Sequence, residues 1–93
     1  MDSDYDYNEE KNQLLKESRG ISFEDIINAI EDGYLIANIP HFKKEKYKNQ
    51  FLLLVKFQNS IYVVPYVKDK KHKKLFLKTI YKSRRFTKIY LKQ

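Results

Sequence analysis

Cysteine is absent from the 93 residues, which removes disulfides, zinc knuckles, iron–sulfur ligation and thiol catalysis together. Glycine and proline occur twice each, so there is no Gly-rich phosphate loop, no long linker and no visible internal repeat. Neither a nucleophile elbow nor the His/carboxylate spacing of a metal site is present, and His41 and His72 are left as the possible soft ligands. This pattern speaks against a nucleotide- or metal-dependent enzyme, and no cofactor is expected. The longest uninterrupted apolar run, 51–55, is far too short to span a membrane. The chain opens Met1-Asp2-Ser3-Asp4, acidic where an export leader is basic, so a cytoplasmic location is expected.

Acidic residues are scarce in one half only. Residues 1–40 carry ten acidic and three basic side chains, net −7, whereas 41–93 carry sixteen basic side chains against Glu45 and Asp69, net +14. Segregation this steep implies one strongly positive face, for which a polyanion is the natural partner. The apolar fraction of 42% and aromatic fraction of 15% are those of a globular chain, and the length suits one domain, 1–93. Such a domain is too small for a deep internal cavity, so any chemistry is expected on an open face.

Capping chemistry marks the first half. Asn8 is placed to cap a helix that begins Glu9-Glu10, carries Leu14 and Leu15, and stops at Gly20. Ser22-Phe23-Glu24-Asp25 resembles a capping box, and Phe23, Ile26, Ile27 and Ile30 follow at helical spacing up to Gly33. A strand is expected over 34–39, closed by Pro40, then a polar loop over 41–50 with four lysines. Residues 51–57 and 61–67 read as a hairpin around Gln58-Asn59-Ser60, with Pro65 marking an irregularity or an edge position. A basic turn at 68–74 leads to a strand over 75–81, and Phe86, Ile89 and Tyr90 recur as the apolar stripe of a short last helix. The expectation is an α+β domain: two N-terminal helices, a four-stranded mainly antiparallel sheet and a short C-terminal helix, with the helices on one face.

The acids of the first half sit mostly at expected helix starts, where capping and solvation account for them. What remains is a basic, aromatic surface in two groups: Lys43, Lys44, Lys46, Tyr47 and Lys48 in one loop, and Lys78, Tyr81, Lys82, Arg84, Arg85, Thr87 and Lys88 around the last strand-to-helix junction. Lysines supply salt-sensitive phosphate attraction. Arginine adds a planar fork that holds a phosphate in two places and stabilises charge building on it. Lysine outnumbers arginine sixteen to three, so the adjacent Arg84 and Arg85 stand out, although two solvated residues on a final helix would look the same. RNA carries its own nucleophile, the 2′-hydroxyl, and an enzyme need only align it, assist proton transfer and stabilise the pentacoordinate phosphate. Lys, Arg, Tyr and His can do this without metal. His41 is a candidate acid or base or an incidental surface residue, and His72 adds charge to a basic turn.

Three segments in order carry a family resemblance. Tyr7-Asn8-Glu9-Glu10-Lys11-Asn12, Arg19-Gly20-Ile21-Ser22-Phe23-Glu24-Asp25 and the stretch IYKSRRFT at 80–87 resemble the opening, middle and closing motifs of the BrnT family of bacterial toxins. These are small ribonucleases with a RelE-like fold. The resemblance puts Arg84 and Thr87 on the family's Arg and Thr. It departs at Arg19, where the family usually has His, at Phe86, where it has a small residue, and at Ile89-Tyr90, where it continues with charge. It implies a type II toxin whose cognate antitoxin, typically with a ribbon-helix-helix DNA-binding domain, covers it and joins it in autorepression. On that reading Arg84 stabilises the transition-state phosphate; Thr87, Lys82, Tyr81 and His41 complete the candidate catalytic set; and Lys46, Tyr47, Lys48, Lys78, Arg85 and Lys88 hold RNA. The exposed stripe Phe86, Ile89 and Tyr90 would dock on the protein's own sheet or on an antitoxin helix. The alternatives are a non-catalytic RNA- or DNA-binding module using the same surface, and an interaction domain with no nucleic-acid binding.

Overall fold

The computed structural model describes residues 4–43 and 45–92, so Asp2 and Lys44 lie outside the described residues. The elements run β1 (Tyr5–Tyr7), α1 (Glu9–Arg19), α2 (Phe23–Glu31), β2 (Leu35–Pro40), β3 (Gln50–Phe57), β4 (Ser60–Asp69), β5 (Lys74–Leu77), β6 (Tyr81–Ser83) and α3 (Arg84–Leu91).

The first two helices begin where local chemistry dictates. The Asn8 side chain accepts the Lys11 N–H at 2.9 Å, and Gly20 ends α1 at φ 67°, a left-handed conformation that costs a residue without Cβ little. At α2, Ser22 Oγ accepts the Asp25 N–H and the Asp25 carboxylate accepts the Ser22 N–H, both at 3.0 Å, a reciprocal cap with Asp in the usual Glu place. Buried Asn12 ties the two helices together: its Oδ1 accepts the Phe23 N–H and its Nδ2 donates to Glu24 Oε1, each at 2.7 Å. That bond from Asn12 is the main reason the Glu24 carboxyl titrates below its ordinary value, and Lys16 at 3.8 Å adds to it.

The sheet has six strands rather than four. Its order is β1-β5-β4-β3-β2, with β6 also paired to β4. All pairings are antiparallel except β1 with β5. Gln58 and Asn59, at φ 50° and 63°, form a two-residue turn between β3 and β4, and Ser60 already pairs with Phe57. The expected strand over 75–81 is broken in two. Leu77 pairs with Tyr66 and Tyr81 with Val63, so three residues, 78–80, face only Val64 and Pro65, and the Lys78 N–H bonds the Pro65 carbonyl at 2.8 Å. Because a strand residue points its N–H and C=O the same way, the missing donor of Pro65 falls at this bulge. Arg19 reaches across from α1 to donate to the Ile80 carbonyl within it.

Helices cover both faces of the sheet, not one. Leu15, Ile21, Phe23, Ile26 and Ala29 from the first-helix layer pack on Leu53, Val55, Val64, Tyr66, Leu77 and Ile80. On the opposite face Phe86 and Leu91 of α3 pack with Tyr81 on Leu52, Leu54, Ile61 and Val63. This is why 52–55 are all fully buried without alternation: each face of β3 has its own cover. No helix among the described residues is long and apolar enough to cross a membrane.

Candidate nucleic-acid interface

The last strand hands over to α3 through two hydroxyls. Ser83 caps the helix, its Oγ accepting the Phe86 N–H at 3.1 Å. Thr87, one turn on and buried, is inserted between strand and helix: its Oγ1 accepts the Ile61 N–H at 2.8 Å and donates to the Ser83 carbonyl at 2.6 Å. Both functions of that hydroxyl, placed in the candidate catalytic set, are engaged within the chain, where Thr87 positions the start of α3. Thr87→Val, nearly isosteric, leaves the buried Ile61 N–H without its acceptor and is expected to lower stability by about 1–3 kcal/mol in urea unfolding. A loss well below that range would mean another acceptor replaces it.

Thr87 thereby holds Arg84 and Arg85 in the first turn of α3, where an α-helix leaves backbone amides without intrahelical acceptors. Both side chains are exposed, and Lys88 lies one turn further, at i+4 from Arg84 and i+3 from Arg85. No acid occupies the first turn, and among the described residues none pairs with Lys78, Lys82, Arg84, Arg85 or Lys88. For folding alone this is a poor arrangement. Cations at the positive end of a helix forgo about 0.3–1 kcal/mol apiece relative to acids, and like charges one turn apart add repulsion of about 0.2–0.5 kcal/mol. A bound polyanion would reverse the sign of each term.

The neighbours divide by strand alternation. Tyr81 lies half-buried against Phe86 and the α3-side core, and burial raises its pKa, so the phenol keeps its proton at neutral pH. Lys82 pairs with Tyr62, which faces the first-helix layer, so it projects to the other side from Tyr81. Lys78 stands over the ring of Phe76 at 5.7 Å. Phe76 pairs with Val67, one step from the inward pair Leu77 and Tyr66, and therefore shares the α3 face. The sequence reading passed over Phe76; the alternation Leu75, Phe76, Leu77 was the available signal.

The loop at 41–49 forms a separate patch. His41 bonds Gln50, which pairs with Val67 at one end of β4, whereas Ser83 pairs with Ile61 at the other. Six residues of strand, about 20 Å, separate the two ends. His41 is buried, its ring lies 4.5 Å from that of Tyr47 and 4.8 Å from that of Phe42, and its Nδ1 accepts the Lys43 N–H at 3.0 Å. Burial, with Lys43 nearby, lowers its pKa and keeps it neutral at pH 7. It is the pin of its loop, and the fold does not bring it to Arg84 as the candidate catalytic set required. Lys46 lies 5.4 Å from the Tyr47 ring, and Lys46 and Lys48 are exposed, so this loop is a second cationic surface. His72 is tied to Asp69 by a 2.8 Å contact within the basic turn. No cluster of three or more His, Asp or Glu among the described residues could hold a metal ion. Compared with protein-family models, with curated proteins and with solved structures, the chain matches none.

Proposed function

We propose that this protein is the toxin of a type II toxin–antitoxin pair, a metal-independent endoribonuclease that cleaves cytoplasmic RNA and arrests growth until a cognate antitoxin, with a ribbon-helix-helix DNA-binding domain, covers it. The reading rests on the three-segment resemblance to the BrnT toxins and, above all, on one observation: Arg84 and Arg85 stand at the positive end of α3 with Lys88 one turn further, none of them paired with an acid among the described residues, on a helix start held by the buried Thr87 hydroxyl. In this mechanism the RNA backbone lies along the exposed face of α3, with Lys78 beside Phe76 on the same face of the sheet. The 2′-oxygen attacks phosphorus, its proton leaving to solvent or a nearby base, and the bond to the 5′-oxygen breaks as that oxygen takes a proton. Arg84 grips the equatorial phosphate oxygens, where negative charge is greatest in the transition state, and the helix amides add to its field. Arg85 and Lys88 hold the flanking phosphates, and the protonated Tyr81 phenol is the neutral donor left to the candidate set.

One observation favours the second reading, a non-catalytic RNA- or DNA-binding module: His41 lies far from Arg84 and the Thr87 hydroxyl is engaged, so neither serves as a proton carrier beside the phosphate. The two readings separate in a purified system. With ribosomes, messenger RNA and excess EDTA, the enzyme yields new 3′ ends bearing a 2′,3′-cyclic phosphate. The module yields salt-sensitive binding with intact RNA.

A further inference from the structure

β2 is one edge of the sheet, hydrogen-bonded on one side only, to β3. Residues 33–42 contain no Asp, Glu, Lys or Arg, and Tyr34, Leu35 and Ile36 are 48%, 38% and 37% exposed. Edge strands are ordinarily blunted by charge, and here only the irregularity between Leu35 and Ala37 and the terminal Pro40 interrupt the edge. The opposite edge, β1, is three residues long and carries Asp6. We infer that β2 pairs antiparallel with β2 of a second copy of this chain, joining two sheets into one.

Charge selects this partner. The strand is preceded by Glu31 and Asp32, with no basic residue in the last turn of α2, and followed by Lys43, Lys46 and Lys48. Antiparallel pairing sets the acidic entrance of each strand against the basic exit of the other, twice by symmetry. Parallel pairing would set like against like, and a segment of one charge sign would suit only one end. The His41 N–H points inward to Gln50, so by alternation Asn38 turns its N–H and C=O to the free edge, and the absent N–H of Pro40 also falls there. A register centred on Ala37 sets Asn38 opposite Ile36 of the second copy and Glu31 toward its Lys43. The two-fold axis of such a pair is perpendicular to the sheet, so both copies of α3 lie on the same face and their cationic ends address one polyanion together. The pairing itself is independent of whether the protein cleaves RNA.

Sedimentation velocity of the whole chain, from micromolar to sub-millimolar, tests the inference. The parent is expected to pass from 11.3 kDa to twice that mass, and to dissociate more readily at high salt. Ile36→Lys, at an exposed position, should remain monomeric with unchanged circular dichroism. Glu31→Lys with Asp32→Lys should weaken the dimer, and adding Lys43→Glu with Lys46→Glu should restore it. Independently of any variant, exchange of the parent's Asn38 amide should slow as the dimer forms. A parent that stays monomeric throughout, a dimer that survives Ile36→Lys, or one that leaves Asn38 exchange unchanged would overturn the proposal.

Discussion

Arg84→Ala combined with Arg85→Ala is expected to reduce RNA cleavage by about 10²–10³-fold or more, the usual effect of removing a preorganised charge from a transition-state site, while the protein stays folded. The structural part of this expectation follows from the absence, among the described residues, of any acid paired with either guanidinium. Removing two cations from the positive end of α3 relieves repulsion, so thermal stability should hold or rise by about 0.3–1 kcal/mol per site. That opposite movement of activity and stability separates a functional role from a structural one. Arg84→Lys keeps charge but loses the fork, and should recover binding more than cleavage. If the double variant cleaved RNA at the parent rate, the phosphate would have to be held elsewhere, and the 41–49 loop would become the first alternative.

Phe23→Ala is expected to cost about 3–5 kcal/mol, a large share of the roughly 5–15 kcal/mol that stabilises a domain. Phe23 is wholly buried, stacks on Tyr7 at 4.8 Å between centroids, and joins the core of both first helices and the sheet. Truncation therefore opens a cavity where α1, α2 and β1 meet. Its backbone N–H, held by Asn12, is unaffected by the change, so the loss measured in urea unfolding reports packing alone. A loss under about 1 kcal/mol would mean that the site collapses freely, contrary to a core built around this ring.

The parts of this fold that were legible in sequence are those whose cause is local. Asn8, Gly20, and Ser22 with Asp25 act within a few residues of themselves, and the limits of the first two helices fall where they stand. The parts that were missed depend on distant partners. β1 is three residues with Asp6 in the middle, and it becomes a strand only because β5, some seventy residues later, lies parallel to it. The break between β5 and β6 has its cause in Pro65 on the neighbouring strand, where the irregularity was anticipated but not its consequence for 78–80. Of the expected α3 stripe only Phe86 packs on the sheet, joined by Leu91, whereas Ile89 and Tyr90 stay exposed, and the spacing did not show which face the helix covers. The unbroken apolar run at 51–55 held that information, because a strand covered on one side alternates.

The candidate site divides in the same way. The charge of Arg84, Arg85 and Lys88 was readable directly, and their shared helical face followed from spacing. Thr87 was placed in a chemical role by the resemblance and His41 by residue type, and the chain itself engages the Thr87 hydroxyl and the His41 Nδ1. A hydroxyl or imidazole in sequence does not show whether it is already engaged. Arg19, one of the departures from the BrnT pattern, likewise has a structural task, donating to the Ile80 carbonyl within the bulge.

The most direct test of the central claim is to induce the parent and the Arg84→Ala/Arg85→Ala variant in a bacterial host, where ribosomes are present, and to map new RNA ends in the same cultures as growth is followed. The account predicts growth arrest with new cuts for the parent, and normal growth with intact RNA for an equally abundant, soluble variant. Normal growth and intact RNA with an abundant, soluble parent, or arrest and cuts that persist without the two arginines, would contradict it.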